Sequence, residues 1–207
     1  MGIDTLILMD HRLDADNVRG EIDRILLPAL DALGEARAFW SKHGRHFRAL
    51  PDDHSRFRWT LESTWYDDVR IDEYDGPWGI NLDIGKHLAR ISPVMRWGTF
   101  IDDPASQATV IAMARAIGGC IGARTCLYYP DSTYAPARVD DVFCAGGTMA
   151  SALATLQTFC GPPAESIRAI NTFLSDEEMM RFHPDWDGDE DTRLHNSDGY
   201  WLDAPLG

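Results

Sequence analysis

No stretch of this chain approaches the roughly 18 consecutive apolar residues that a membrane-spanning helix requires. The N-terminal "MGIDTLILMDHRLD" has no basic leader ahead of its short apolar run, so neither a signal peptide nor an anchor is expected there. Position 6 is Leu rather than Ser or Thr, which leaves a myristoylation pattern incomplete. Cysteine is scarce. Cys120, Cys126, Cys144 and Cys160 form no C-x-x-C pair, which speaks against a zinc-ribbon or thioredoxin-like motif. The expectation is a cytoplasmic protein with reduced thiols. Positive charge is also short: 19 Lys and Arg stand against 33 Asp and Glu, a formal net charge of −14. Phosphate-rich nucleic acids and anionic membranes would be repelled by such a chain. A basic protein partner would be attracted, and its approach accelerated.

Nucleophile and phosphate motifs are missing too. There is no G-x-S-x-G elbow, and "AGGTMAS" at 145–151 lacks the G-K-[ST] ending of a phosphate loop. Cys126 sits in a run of strand formers, where a buried, inert thiol is the usual case. Acidic neighbours occur at Asp67-Asp68, Asp72-Glu73, Asp102-Asp103 and Asp140-Asp141. Adjacent positions in a strand point to opposite faces, so such pairs would not act jointly on one bond. Asp103, just before Pro104, reads as a helix cap.

What is present suits a well-packed domain. Hydrophobic residues make up 44% of the 207, with seven Trp among them, enough for a core without staples. "DTLILMDH" at 4–11 reads as a buried strand. Val18, Ile22, Ile25, Ala29, Leu33, Ala36 and Trp40 recur at helical spacing, interrupted by Pro28. Residues 59–71 suggest one or two strands, and "DGPWG" at 75–79 a turn. In 80–91, Ile80, Leu82 and Ile84 alternate with Asn81 and Asp83, predicting a hairpin, with 94–100 as a third strand. A helix is expected from Asp103 to Gly118-Gly119, a strand around "RTCLYYPDS", and a helix over 148–160 followed by a short one through Ile170. "SDEE" at 175–178 forms a capping-box pattern. Consecutive strands without intervening helices predict an α+β fold: a single domain over 1–207, a mainly antiparallel sheet packed against several helices, and an acidic C-terminal segment at 183–207. One parallel crossover around the 103–118 helix is also allowed for.

The densest charge lies in "HPDWDGDEDTRLH", His183 to His195. As a calcium loop it begins well, with Asp185, Asp187 and Asp189 at the first, third and fifth positions. It then puts Glu190 where the sharp turn needs Gly, and Asn196 where the closing bidentate Glu belongs. His183 and His195 could join a transition-metal site with Asp185 or Asp187, though nothing in their spacing demands it; His43 and His46, three residues apart, would share a helix face, with no third ligand to name. Trp78 and Trp97 each precede a Gly and fit either core packing or an interface anchor. Trp186 and Trp201 lie in the polar tail, and exposed aromatics there could equally serve homo-oligomerisation.

The order "GPWGINLDIG … RWGTF … LYYPDS … FCGPPAESI" over residues 76–170 resembles immunity proteins of bacterial polymorphic and contact-dependent toxin systems. The resemblance implies a single cytosolic α+β domain that binds and occludes a cognate toxin, with no catalytic residue and no cofactor. The residues and the resemblance together suggest a non-enzymatic binding protein. Its partner surface would comprise Asp185, Trp186, Asp187, Asp189, Glu190 and Asp191, with acids around Asp67 to Asp75 beside it. Two other readings stand next to this one: a metal-dependent hydrolase using His and Asp side chains, and a structural or regulatory domain of a larger assembly.

Overall fold

The computed structural model describes residues 4–14, 17–21, 24–25, 60–66, 69–75, 80–93, 95–131, 135–170, 180 and 199–204. Strand β1 (Thr5–Asp10) sends Ile7 and Met9 into one core and Leu8 into another, because successive side chains in a strand leave opposite faces. It is hydrogen-bonded on both edges, to β5 (Leu88–Pro93) and β6 (Cys126–Pro130). Covered on four sides, it reads as the uninterrupted apolar run "LILM". Among the described residues the sheet has seven strands, in the order β2-β3-β4-β5-β1-β6-β7. The others are β2 (Thr60–Tyr66), β3 (Val69–Asp75), β4 (Ile80–Ile84) and β7 (Trp201–Asp203). All six pairings between strands are antiparallel. The fold is therefore the single α+β domain with an antiparallel sheet that the strand spacing predicts. No crossover pairing forms between these strands; a lone parallel bridge joins Ala164 to Trp201.

The expected hairpin is β4–β5, with Leu82 opposite Ile91 and Asp83 opposite Arg90. Residues 94–100, expected as a third strand, are not one. Arg96 makes a single bridge to Asp4, and then α2 (Trp97–Asp102) begins. Trp97 and Phe100, three apart, are both buried and stack with ring centroids 5.5 Å apart. Burying both rings against the same core requires helical spacing, and that outweighs the strand preference of "RWGTF". Asp103 stays extended, at φ −105° and ψ 103°, because the residue before a proline avoids the helical region. It ends α2 and starts α3 (Pro104–Ile121) as the N-cap expected of it, accepting from the backbone N–H groups of Ala105 and Ser106.

Helix α3 also runs further than Gly118-Gly119, the stop its sequence suggests. Ile117 and Ile121 are buried, and their packing carries the helix through two glycines that would weaken it by about 1 kcal/mol each. The stop is Gly122, left-handed at φ 72°, after which the Ala123 N–H reaches the Gly118 carbonyl. Helix α4 (Ala135–Cys144) and strand β7 are additions that the sequence did not announce. Helix α5 (Met149–Cys160) starts at Thr148 with a reciprocal Thr148–Ser151 capping box and ends at Gly161. The short helix expected before Ile170 is the 3₁₀ turn Ile167–Ala169. Of the long N-terminal helix, α1 (Val18–Glu21) and the helical residues 24–25 fall within the described residues. The "DGPWG" turn between β3 and β4 and the "SDEE" capping box lie outside them.

The sheet separates two cores. On one face, α2, α3 and the 3₁₀ turn pack Trp97, Phe100, Val110, Ala114, Ile117, Ile121 and Ile167 against Ile7, Met9, Leu82, Ile91 and Tyr128. On the other, α4 and α5 pack Val139, Phe143, Ala152 and Leu156 against Leu8, Leu88, Leu127 and Tyr129.

Candidate functional site

Asp185, Trp186, Asp187, Asp189, Glu190 and Asp191 lie outside the described residues, as do His183, His195, His43, His46, Asp67, Asp68 and Trp78. Asp72, Glu73 and Asp75 are carried by β3, where Asp72 pairs with Ile84 and Glu73 with Asp83 in the ladder to β4. Among the described residues, no three His, Cys, Asp or Glu side chains gather where they could hold a metal ion. No described helix is long and apolar enough to cross a membrane.

The most concentrated charge in the described structure lies between the β4–β5 hairpin and α4. The hairpin register sets Asp83 directly opposite Arg90, on the sheet face away from Leu82 and Ile84. The Arg90 Nε–H donates to Asp83 Oδ2 at 2.7 Å. Its Nη1–H donates to Asp140 Oδ1, on α4, also at 2.7 Å. The guanidinium lies over the Phe143 ring, 5.0 Å from its centroid. Asp83 is 10% exposed, Arg90 21% and Asp140 43%, so the cluster grades from the core to solvent. Burial works against the guanidinium's charge, but Asp83 and Asp140 outweigh it and hold the proton more firmly than usual. Burial also pushes the Asp140 carboxyl up, and Arg90 pulls it partly back. One cation between two carboxylates, with charge-assisted bonds to both, is a brace that ties a helix to a hairpin. Sequence reasoning missed it. Its only local signal is the hairpin register, which makes 83 and 90 partners; Asp140 arrives from fifty residues away.

Other described arginines are committed in the same way. Arg115 on α3 grips Asp203 of β7 with two bonds, 2.8 and 3.0 Å. Arg96 donates to Asp4 at 2.7 Å, and Asp131 accepts the Asp4 N–H. Arg24 pairs with Glu21, and Arg138 with Asp141. The adjacent acids Asp140 and Asp141 thus serve different arginines, and Asp103 serves a helix end.

The remaining candidates have structural roles. Cys126 is fully buried, and burial, with Asp203 and Asp10 nearby, pushes its thiol up to about 12; it is not a nucleophile at neutral pH. The four cysteines form no disulfide. In "AGGTMAS", Gly147 donates its N–H to the Val142 carbonyl, and a Cβ there would sit 2.5 Å from the Val142 side chain. These glycines therefore close the α4–α5 turn. Trp97 is a core residue, 1% exposed, and Trp201 is half-buried. They form the ends of a row of four rings, Trp97–Phe100–Tyr128–Trp201, with successive centroids 5.5, 5.4 and 5.1 Å apart, the first two pairs stacked and the last tilted. No family model, no curated protein and no solved structure matches the chain.

Proposed function

We propose that this protein is a non-enzymatic binding protein that captures a basic protein partner, in the manner of an immunity protein neutralising a cognate bacterial toxin. The observation that carries the reading is the excess of negative charge: 33 Asp and Glu against 19 Lys and Arg leave a net charge of −14. Arg24, Arg90, Arg96, Arg115 and Arg138 each bind a carboxylate of their own chain, which leaves that sum unchanged. The molecule keeps a one-signed field, which steers an oppositely charged partner over about a Debye length, roughly 8 Å at physiological salt. The likeness of residues 76–170 to immunity proteins supports the same reading, as does the use of Asp103, Cys126 and the 145–151 glycines for folding.

The proposed contact surface comprises Asp185, Trp186, Asp187, Asp189, Glu190 and Asp191, an aromatic anchor within an anionic rim. The test uses the tagged full chain as bait in a lysate of its own host, with salt elution, followed by co-expression with the adjacent gene. One stoichiometric basic protein, whose toxicity the chain relieves, is expected. Capture of no protein, or a neighbouring gene product equally harmless with and without the chain, would overturn the proposal.

A further inference from the structure

His11 follows β1 directly, and both of its ring nitrogens are bound to backbone. Nε2 lies 2.8 Å from the Gly85 carbonyl oxygen in the β4–β5 turn. The Leu13 N–H donates to Nδ1 at 3.2 Å. A carbonyl only accepts and an amide N–H only donates, so a single species satisfies both: neutral imidazole with its proton on Nε2. A second proton would have to enter at Nδ1, where it would face the Leu13 N–H, donor against donor.

The chain held by that bond matters to the fold. Leu13 and Val18 are 8% and 5% exposed and belong to the core beneath α2 and α3. The described residues around them make further bonds. Arg12 N–H reaches the Ile121 carbonyl, Asp14 N–H a Glu21 carboxylate oxygen, and Asn17 N–H the Asp14 carbonyl.

We propose that His11 is a proton-operated latch: anchored to the β4–β5 turn through its Nε2–H, the neutral ring holds the Leu13 N–H, and protonation at Nδ1 releases Leu13. Two further observations agree. Burial holds the ring's affinity for a proton below the usual histidine value, the Gly85 bond opposes that, and His87 reinforces it. Among the described residues, the groups acting on the ring are His87, which follows Gly85-Lys86 on the turn and repels an imidazolium, and Asp10 at the end of β1, which favours one. Because the folded state holds its proton less tightly than the unfolded chain, stability is complete above about pH 6.5 and declines as pH falls from there toward the folded-state pKa.

The experiment is an NMR titration of the full chain from pH 8 to 5. It follows the His11 ring nitrogens and the hydrogen-exchange protection of the Leu13 amide, corrected for intrinsic exchange. The expected result is a His11 midpoint below about 6.5 and a fall of at least about tenfold in Leu13 protection over the same range. His87→Gln should move both midpoints upward together. In His11→Asn, the side-chain oxygen can still accept the i+2 amide as an Asx turn, so Leu13 protection should persist without pH dependence. If that variant does not fold, the wild-type titration decides alone. A His11 midpoint at or above the ordinary value, or Leu13 protection unchanged while His11 protonates, would overturn the proposal.

Discussion

The two faces of the sheet are built on different principles. Beneath α2 and α3 the core is aromatic and aliphatic, with four rings in a row from Trp97 to Trp201, and its charged pair, Arg115–Asp203, sits at the edge with the guanidinium 55% exposed. Beneath α4 an ion triad is taken inward, and Phe143 serves as the floor under Arg90. The first face depends on apolar area and ring packing, which are indifferent to charge state. The second adds to its apolar core a buried carboxylate, Asp83, that must keep its cation, because a buried charge left alone costs far more than the pair contributes. Register places Asp83 and Arg90 opposite each other on an inner face, and Asp140 of α4 takes up a second donor of the guanidinium.

The sharpest way to break this contrast is Arg90→Met. It leaves Asp83 buried without a cation and should cost about 3–5 kcal/mol in urea unfolding. Arg90→Met combined with Asp83→Leu should recover most of that loss; equal losses in the single and double variants would deny the triad its role as a brace. On the aromatic face, Phe100→Ala removes the middle of the ring stack and should cost about 3–4 kcal/mol, unaltered between pH 6 and 8. Asp103→Ala removes two accepted backbone bonds at the start of α3 and should cost about 1 kcal/mol. Arg138→Ala should change stability by less than about 0.5 kcal/mol, since Arg138 and Asp141 are 61% and 71% exposed and 3.5 Å apart. The first and last variants both remove an arginine paired with an acid of α4, so the distance between their results measures what burial does to an ion pair.

Legibility from the sequence followed locality. Strand β1, the β4–β5 hairpin and the start of α3 carry their signals within a few residues: a run of apolar side chains, a clean alternation, an Asp-Pro cap. Helix α2 was hidden because the helical spacing of Trp97 and Phe100 matters only once Tyr128 is beside them. Among the described side chains of helix α4, Val139 and Phe143 are the buried apolar positions, set among Arg138, Asp140 and Asp141, so its periodicity is diluted. Strand β7 is three residues long and exists by pairing with β6; a segment that short has no pattern of its own. Among the site residues, the caps and the inert Cys126 were readable, while the Arg90 brace and the bonds of His11 arise from chain segments that topology brings together.

The position of β1 has a consequence for how the molecule comes into being. Of the described strands of the sheet it is the first to be made, yet its two neighbours end at Pro93 and Pro130, and the last strand of the order ends at Asp203. "LILM" must therefore wait until residue 130 has been made before both its edges are paired, a high-contact-order arrangement that slows assembly and leaves a sticky segment in need of shelter. A nascent chain stalled short of residue 130 should be a chaperone client, and one carried past residue 203 should not.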